Sequence, residues 1–447
     1  MKLKDLKNRE IVILGFGREG RDTFGFLREN FPEKELGIAD MLDLSSLSKE
    51  SQKIIENDQK TITHLGEDYL EKIKDYEVIV KSPGVPPEII EPYIAKKQRV
   101  TSQTEIFFKA CPGKIIGVTG TKGKSTTVAL INKVLKDNEF DSHLVGNIGK
   151  PALSFLEHAT PEDIYIYELS SHQLAGLEDS PHIAVLLNIF PEHLDYYKDF
   201  SDYVSAKANI TYHQTEKDYL IYDAQNETVK KIAQKSKAQK ITLSSVKLKE
   251  TNFPLKGKFN LKNIKAAIAV TKIFDIPRKK IIKSIQDFKP LPYRLEYLGT
   301  YKGIKFYNDA LSTIPEATMA ALDALGEDVE TILLGGYDRG ISFKKLVKKL
   351  LKSKIKTLIF FQTTGDIIWR ELIKQQESSS PTESIAEKYN AFMVQNMKDA
   401  VKLSFKYTHK GKICLLSTAS PSFGIFRDYR EKGDLFKKYV EEYGQKK

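Results

Sequence analysis

The segment I-I-G-V-T-G-T-K-G-K-S-T-T, residues 115–127, decides how the centre of this chain folds. An apolar run of β type leads into a glycine-rich turn, and Lys124, Ser125 and a helix-compatible segment from about Thr126 follow. This order is typical of a phosphate-binding loop, because glycines let backbone N–H groups close on phosphate oxygens, lysine neutralises charge, and a hydroxyl can bind Mg²⁺. The helix that follows adds the positive end of its dipole. Val118 stands where a Walker A loop usually has its first glycine, and a structural turn is the alternative.

Length and composition indicate a globular protein. The 447 residues are enough for roughly three domains, and 41% of them are hydrophobic. The longest apolar runs, such as 183–187, are too short to cross a bilayer, and residues 1–10 lack the apolar core of an export signal. The two cysteines, Cys111 and Cys414, favour neither a disulfide framework nor a zinc site. We therefore expect a cytoplasmic protein without membrane insertion.

The net charge of +11 does not by itself indicate a nucleic-acid partner. The 70 basic residues are spread over the whole chain among 59 acidic ones. The densest cluster, Lys345 to Lys356, predicts the solvated side of a helix followed by a turn. A mildly positive field suits small anionic substrates, and these are the partners that we expect. We also expect the protein to be a monomer.

The first block of the chain carries a dinucleotide-type fingerprint. The apolar run at 11–14 is followed by G-F-G-R-E-G at 15–20, and Asp40 lies twenty residues after Gly20, at the end of a second apolar run. A third strand, at 77–80, ends in K-S-P-G-V-P-P at 81–87. These features predict a Rossmann-like domain. Its ligand can be a nicotinamide cofactor or another nucleotide, because this motif alone does not separate the two.

Apolar runs alternate with amphipathic stretches along the rest of the chain, which is the α/β pattern. In the central block, strands at 164–167 and 183–187 end at Glu168 and Asn188, and the third block has strands at 331–334, 357–361 and 413–416. Residues 375–382 are predicted to form a surface loop. We predict an α/β protein of three domains: a Rossmann-like domain at 1–109, a P-loop-type nucleotide-binding domain with a mostly parallel sheet at 110–297, and a second Rossmann-like domain at 298–447.

Polar residues at the ends of the central strands are candidates for a metal site. A strand that ends in a carboxylate downstream of a phosphate loop is where a nucleotide-bound Mg²⁺ finds its second protein contact, and Glu168 fits this role. His193 and Asp195 follow the next strand, either as ligand-binding residues or as a structural polar cluster. Lys207 lies in an alanine-rich helical segment, and by pattern alone it is an ordinary solvated side chain.

The chain resembles the Mur ligases of peptidoglycan synthesis over essentially its whole length, and most closely the branch that adds D-glutamate. The motifs that carry the resemblance follow one another in order: G-x-T-G-T-x-G-K-S-T at 117–126, G-N-I-G at 146–149, E-L-S-S-H-Q-L at 168–174, N-I-F-P-E-H-L-D at 188–195, G-K-F-N-L-K-N at 257–263, P-Y-R-L-E at 292–296 and Y-N-D at 307–309. The resemblance implies an ATP-dependent ligase that forms an amide bond through an acyl phosphate.

The resemblance also implies roles for individual residues. ATP would be bound by Gly120, Thr121, Lys122, Gly123, Lys124, Ser125, Thr126, Asn260, Asn263, Arg294 and Asp309. Magnesium would be held by Ser125, Glu168, His193 and a carbamylated Lys207. The residues implied in catalysis are Lys124, Lys207, His193 and Asn147.

The same resemblance implies contacts for the two other substrates. UDP-N-acetylmuramoyl-L-alanine would contact Gly17, Arg18, Glu19, Asp40, Ser82, Pro83, Gly84 and Asn147. D-Glutamate would contact Thr313, Arg339, Ser422 and Tyr429. The compact first block and the motif S-T-A-S-P-S-F-G-I-F-R-D-Y at 417–429 favour the D-glutamate branch.

Four positions depart from the family pattern. Phe259 and Tyr293 stand where histidines are usual, Leu311 stands where some members have lysine, and Lys122 replaces an asparagine. The alternatives to this function are a sister Mur-type or folylpolyglutamate-type ligase with another amino acid, a nicotinamide-dependent oxidoreductase, and a non-catalytic nucleotide-binding module.

Overall fold

The computed structural model describes residues 3–147, 149–192, 196–249, 252–255, 257–379 and 384–445. The chain divides into two compact units, the first formed by residues 1–252 and 262–288 and the second by residues 253–261 and 289–447. No helix in the described ranges is long and apolar enough to cross a membrane.

The first unit opens with a five-stranded parallel sheet in the order β3-β2-β1-β4-β5. Its strands are β1 (Ile11–Leu14), β2 (Leu36–Asp40), β3 (Thr61–Leu65), β4 (Val78–Lys81) and β5 (Arg99–Thr101). The helices here are α1 (Leu3–Leu6), α2 (Arg18–Asn30), α3 (Lys49–Asn57), α4 (Pro87–Ile90) and α5 (Gln103–Ala110). The strand order runs outward from β1 to both sides, as the predicted Rossmann-like arrangement requires.

The same unit contains a six-stranded parallel sheet in the order β11-β10-β9-β6-β8-β7. Its strands are β6 (Lys114–Thr119), β7 (Ser142–Gly146), β8 (Ile164–Glu168), β9 (Ile183–Leu186), β10 (Tyr219–Tyr222) and β11 (Gln239–Thr242). The helices are α6 (Lys124–Asp137), α7 (Ser171–Leu174), α8 (Phe200–Tyr212), α9 (Glu227–Lys235), α10 (Lys258–Lys272) and α11 (Arg278–Gln286), and the division between units falls within α10. The glycine-rich loop follows β6, an interior strand with neighbours on both sides.

The second unit has a six-stranded sheet in the order β12-β13-β17-β14-β15-β16, parallel except for the β12–β13 pair. Its strands are β12 (Glu296–Tyr301), β13 (Ile304–Asn308), β14 (Val329–Gly335), β15 (Thr357–Phe361), β16 (Asn390–Val394) and β17 (Ile413–Leu416). The helices are α12 (Pro315–Leu325), α13 (Lys344–Leu351), α14 (Thr364–Ser379), α15 (Ile385–Lys388), α16 (Met397–Tyr407) and α17 (Tyr429–Gln445). The predicted α/β class with mostly parallel sheets is confirmed.

One element differs from the sequence prediction. Residues 375–379, expected in a surface loop, continue helix α14, and residues 380–383 lie outside the described part of the chain. The helix extends because Gln376 is buried and the Gln375 side chain donates to Glu371 Oε1, one turn earlier, at 2.7 Å. The basic cluster that begins at Lys345 lies on α13 and the turn after it, as predicted.

The hydrophobic cores explain the division into units. One continuous apolar cluster joins residues of the first sheet, such as Ile13, to residues of the second, such as Tyr167, so these two sheets form one compact unit. The third sheet packs between two other apolar clusters, one that contains Leu346 of α13 and one that contains Phe436 of α17.

The turn between β1 and α2 depends on a close approach of two backbones. A Cβ atom added at Gly20 would lie 2.1 Å from the carbonyl oxygen of Gly15, which is backbone and cannot rotate away. Gly20→Ala should therefore move the turn that carries Gly17 to Glu19, and it should destabilise the protein by about 1–3 kcal/mol. Gly25→Ala, in the same helix, is the matched control, because a Cβ there meets no atom within 4 Å. Urea unfolding should show a stabilisation of about 0.5–1 kcal/mol for the control; equal effects of the two changes would contradict the packing argument.

Candidate active site

The glycine-rich loop leads into a helix whose N-cap residue is a glycine. Gly123 is the N-cap residue of α6 and has φ +94, a left-handed conformation that favours glycine. Glycine has no side chain with which to cap the helix, and the positive end of the helix dipole is directed at the loop. Ser125 and Thr126 follow in the first turn and are buried. The segment therefore has the strand, turn and helix of a phosphate loop.

Side chains from neighbouring elements hold the loop in place. The amide of Asn188, just after β9, accepts from the Lys122 N–H and donates to the Lys122 carbonyl, both at 2.9 Å. The hydroxyls of Thr121 and Tyr203 are 3.0 Å apart, and the Lys122 ammonium pairs with Glu192 at 2.6 Å. These bonds fix the loop backbone ahead of the start of α6.

Two lysines and a glutamate converge on this loop. Lys124 Nζ donates to the carbonyl oxygens of Gly120 and Thr121 at 2.9 and 3.2 Å. Lys207 Nζ, on α8, donates to the same Gly120 carbonyl at 3.2 Å. Glu168 ends β8, next to β6, and is buried, and its Oε2 atom has no hydrogen-bond partner among the described residues. The structure therefore brings three of the predicted residues together at the carboxyl edge of this sheet.

Lys207 is not the solvated side chain that its sequence pattern suggested. It is 1% exposed, and its ammonium lies 4.9 Å from the centre of the Tyr203 ring. Burial lowers the pKa of Lys207 well below its ordinary value, and the charge of Lys124 lowers it further, while Glu192 and Glu168 oppose the shift. The lowered pKa favours the neutral amine of Lys207, which is its nucleophilic form.

Two further predicted residues lie close to the loop or to Glu168. Asn263 lies against the loop, since a Cβ at Gly123 would meet Asn263 Oδ1 at 2.4 Å. The backbone N–H of Asn147 donates to the Glu168 carbonyl at 3.4 Å, which joins the G-N-I-G turn to the end of β8. His193 and Asp195 lie outside the described residues.

A cavity lies at the carboxyl edge of the first sheet and has a volume of about 470 Å³. Its lining includes all eight residues predicted to contact the UDP-linked substrate: Gly17, Arg18, Glu19, Asp40, Ser82, Pro83, Gly84 and Asn147. The Asp40 carboxylate accepts from the backbone N–H groups of Phe16 at 2.6 Å and Leu42 at 3.0 Å. Ser82 Oγ donates to the Gly15 carbonyl at 2.7 Å. These bonds tie together the three strand ends that form the cavity.

Glu19 is an unusual residue in the wall of this cavity. Its Oε1 atom accepts from Gln173 Nε2 at 2.7 Å, while Oε2 is buried without a hydrogen-bond partner in the described ranges. Burial raises the pKa of Glu19 to about 7, and the bond from Gln173 and the charge of Arg18 only partly offset this. Burial also lowers the pKa of nearby Lys81 to about 8. Burial thus shifts the pKa of each of these two groups toward neutral pH.

In the second unit, Asp309 is a buried carboxyl group among the predicted ATP contacts. Its Oδ2 atom accepts from the hydroxyls of Ser417, at 2.8 Å, and Ser312, and its Oδ1 accepts from the Leu295 N–H at 3.0 Å. Burial raises the pKa of Asp309 to about 6, against these bonds and the charge of Arg294. Asn260 is buried as well.

Three of the predicted D-glutamate contacts, Thr313, Ser422 and Arg339, lie on loops at the carboxyl ends of β13, β17 and β14, which are neighbours in the sheet, and the fourth, Tyr429, begins helix α17. Ser422 is buried, and its Oγ has no partner among the described residues, whereas Arg339 is exposed and Thr313 and Tyr429 are half-buried. The Tyr337 N–H donates to the Pro421 carbonyl at 2.9 Å, so the loop with Arg339 touches the loop with Ser422.

The departures from the family pattern have different surroundings. Tyr293 donates its hydroxyl to Asp434 at 2.6 Å, and its ring centre lies 5.8 Å from that of Tyr429. Phe259 is 41% exposed, and Leu311 is half-buried. Tyr293 thus packs beside Tyr429, which is one of the residues predicted to contact D-glutamate.

Sequence reasoning assigned no role to several residues that shape these sites. Asn188 and Glu192 hold the phosphate loop, Gln173 holds Glu19, and Lys432 is buried beside Thr418. Asn188 could have been identified from the sequence, because it follows a buried strand of the central sheet. The others depend on contacts between segments that sequence order alone does not bring together.

A phosphate loop beside buried Glu168 and Lys207 defines a nucleotide-phosphate-binding α/β protein. Residues 118–252 match the family profile described as the Mur ligase middle domain. The UDP-N-acetylmuramoylalanine–D-glutamate ligase of Acetivibrio thermocellus is 31% identical, with 98% of this chain and 97% of the relative covered. The enzyme of the same name from Geobacillus kaustophilus is 33% identical, with 96% of this chain and 97% of the relative covered.

Solved structures share the fold at lower identity. The MurF ligase of Thermotoga maritima, solved in complex with ADP, has a TM-score of 0.59 at 16% identity, with 98% of this chain and 97% of that one covered. The UDP-N-acetylmuramate–alanine ligase MurC of the same organism has a TM-score of 0.56, also at 16% identity, with 98% of this chain and 100% of that one covered. The chain belongs to the Mur ligase family, in the branch of the UDP-N-acetylmuramoylalanine–D-glutamate ligases.

The raised pKa of Glu19 makes stability depend on pH. The unfolded chain loses the Glu19 proton near the ordinary value of 4.5, whereas the folded protein keeps it up to about 7. Below the unfolded-state pKa of 4.5, Glu19 is protonated in both states and does not destabilise the fold. Above the folded-state pKa of about 7, Glu19 is charged in both states and destabilises the fold most. Glu19→Gln should raise the free energy of unfolding by an amount that grows from pH 5 to 7 and levels off at up to about 3 kcal/mol.

The control is Glu29→Gln, at the exposed end of the same helix α2. Urea unfolding of both variants between about pH 5 and pH 8.5 measures the effect. A gain that is constant over this range, or equal in the two variants, would show that Glu19 does not carry a shifted proton.

Proposed function

We propose that this protein joins UDP-N-acetylmuramoyl-L-alanine to D-glutamate, coupled to the cleavage of ATP, in the cytoplasm, as a step in peptidoglycan precursor synthesis. The observation that carries the proposal is the glycine-rich loop between β6 and α6, with Lys124, Lys207 and Glu168 beside it. Full-length similarity to D-glutamate ligases supports the choice of substrates. Membership of this family also argues against the nicotinamide-dependent alternative for the first domain.

The proposed reaction has two steps. The terminal phosphoryl group of ATP passes to the alanyl carboxylate, which gives an acyl phosphate and ADP. The amine of D-glutamate then attacks the acyl carbon, the amide bond forms, and inorganic phosphate leaves with the loss of the amine proton. The start of α6 and the Lys124 ammonium would bind and neutralise the phosphate oxygens, so that catalysis consists mainly of positioning and charge stabilisation.

The residues at the loop fit a magnesium ion. Glu168 offers a buried carboxylate oxygen without a hydrogen-bond partner in the described part of the chain, and oxygen ligands of this kind suit Mg²⁺. Ser125, Glu168, His193 and Lys207 are the proposed ligand residues. When bound, the ion would supply positive charge to the phosphate groups.

Lys207 can serve as a ligand residue only after modification, because an ammonium repels a cation. The neutral amine of Lys207 can attack carbon dioxide, form a nitrogen–carbon bond and lose a proton, which yields a carbamate with two oxygen ligands. The lowered pKa of Lys207 supports this reaction, since burial and Lys124 both favour the neutral amine.

The remaining predicted contacts complete the proposal. The cavity beside Asp40 would take the UDP-linked substrate, with Asn147 near its reacting end. The proposed ATP contacts outside the loop are Asn260, Asn263, Arg294 and Asp309, and the proposed D-glutamate contacts are Thr313, Arg339, Ser422 and Tyr429. Residues 1–109, 110–297 and 298–447 would be the UDP-substrate, ATP and amino-acid domains.

Substrate-dependent phosphate release tests this function. Release of phosphate from ATP should require both UDP-N-acetylmuramoyl-L-alanine and D-glutamate, and D-glutamate should outcompete L-glutamate, L-lysine, L-alanine and meso-diaminopimelate. Lys124→Ala should remove activity while the UDP-linked substrate still binds, because the cavity does not include Lys124. Turnover of this variant within about tenfold of the wild type would contradict the loop's role. Preference for another amino acid would assign the chain to a sister ligase.

Chemical rescue tests the carbamate. Lys207→Ala should lose most of the activity, and acetate or formate should restore part of it by supplying carboxylate oxygens in the space that the side chain leaves. Lys207→Arg is the control, since it fills the space with a permanent cation and should not respond to acetate. Mass measurement at neutral or basic pH should find the additional mass of carbon dioxide on the active wild type. Full activity of a protein with unmodified Lys207 would rule the carbamate out.

A further inference from the structure

Lys432 is a buried cation in the second unit that the proposed reaction does not use. It lies in the first turns of α17 and is 1% exposed. Its Nζ donates to Thr418 Oγ1 at 2.6 Å, the one hydrogen bond of this ammonium among the described residues. Burial lowers the pKa of Lys432 to about 7, and the charge of Asp309 opposes the shift. A buried ammonium is costly, so its position calls for a structural or functional reason.

The partner of Lys432 lies in a strained turn. Thr418 follows β17, and its hydroxyl donates to the Ser420 carbonyl at 3.0 Å. Ala419 between them has φ +58, a left-handed conformation that non-glycine residues seldom adopt. The Ser420 and Thr364 hydroxyls lie 2.7 Å apart. Side-chain hydrogen bonds therefore hold a conformation that the backbone by itself disfavours.

The same turn connects the two predicted ligand sites of this unit. Ser417, beside Thr418, donates to the Asp309 carboxylate at 2.8 Å. Ser422 follows four residues after Thr418 and carries the buried Oγ without a partner in the described ranges. A shift at Thr418 would therefore move Ser422 and alter the bond to Asp309 together.

The helix start that carries Lys432 is itself fixed. The Asn308 side-chain amide donates to the Gly433 carbonyl at 3.2 Å, and a Cβ at Gly433 would meet the Tyr293 ring at 2.3 Å. The backbone at residue 433 therefore packs tightly against the end of β13, and Lys432 reaches Thr418 from a position that has little freedom to move.

We propose that Lys432 is a positioning residue for D-glutamate: its buried ammonium holds the turn from Ser417 to Ser422 in the conformation that presents the Ser422 hydroxyl to the amino acid. The inference rests on the proposed function for the identity of the amino acid, but the link between Lys432 and the turn is a separate claim. Lys432 does not touch the substrate, because its ammonium is enclosed and directed at Thr418.

Steady-state kinetics of two substitutions test the role. Lys432→Met removes the charge and the hydrogen bond but keeps the length of the side chain, so the KM for D-glutamate should rise by about tenfold or more. The KM for the UDP-linked substrate should stay within about twofold, because that cavity is lined by residues of the first unit. Lys432→Arg keeps a cation and a donor and should recover most of the affinity for D-glutamate.

Lys388→Met is the matched control within the same unit. Lys388 is a half-buried lysine on α15, and its Nζ donates to the Leu351 carbonyl at 2.7 Å; neither residue lies on an element with predicted ligand contacts. This change should leave the KM for D-glutamate as it is. Hydrogen exchange supplies a readout that does not depend on activity: Lys432→Met should speed exchange in residues 417–428, and the control should not.

The outcomes separate this inference from the proposed function. A wild type that does not ligate D-glutamate refutes the function, while faster exchange at 417–428 still supports the link between Lys432 and the turn. An unchanged KM for D-glutamate in folded Lys432→Met overturns the inference, as does an equal rise in the KM of every substrate. If Lys432→Met does not fold, Thr418→Val, which removes the accepting hydroxyl and keeps Lys432, should reproduce the rise in KM; normal kinetics of that variant would overturn the proposal.

Discussion

The turn into helix α6 is the constraint on which the rest of the first unit depends. A phosphate site needs backbone N–H groups directed at the ligand, yet a buried loop is stable only when its other polar groups are satisfied. The chain meets these two demands with different residues of the loop. Side chains from the segment after β9, above all Asn188, bind the loop backbone at Lys122, and the left-handed glycine at 123 allows the turn into α6. The interior position of β6 supplies neighbouring strands on both sides.

Buried ionisable groups gather at the carboxyl edges of all three sheets. Glu19 lies at the first, Lys207 and Glu168 at the second, and Asp309 and Lys432 at the third. Each is costly in free energy, and none is needed to complete an apolar core. The carboxyl ends of parallel strands all lie at one edge of a sheet. The free-energy cost of burying these ionisable groups therefore falls at the edge where ligands are expected to bind.

Much of the local structure and part of the site could be predicted from the sequence. Short apolar runs that end in polar residues identified the strands around Glu168 and Asn188, and the parallel arrangement implied that these ends meet. The fingerprint at 15–20 and the turn at 81–87 likewise predicted residues that the structure brings around one cavity. The loop expected at 375–382 was wrong for residues 375–379, because a buried Gln376 extends the helix despite its polar sequence.

The sequence by itself determined the α/β class, the phosphate loop and the family resemblance, since these depend on short-range order: strand, glycine turn, helix. Only the tertiary structure decided which charges are buried. Lys207 and Lys432 both look like solvated lysines in their helices, and each becomes enclosed because segments 88 and 14 residues away, at Thr119 and Thr418, close over it. Burial is a property of the assembled layers, and the pKa shifts of Glu19, Lys207 and Asp309 follow from burial rather than from residue type.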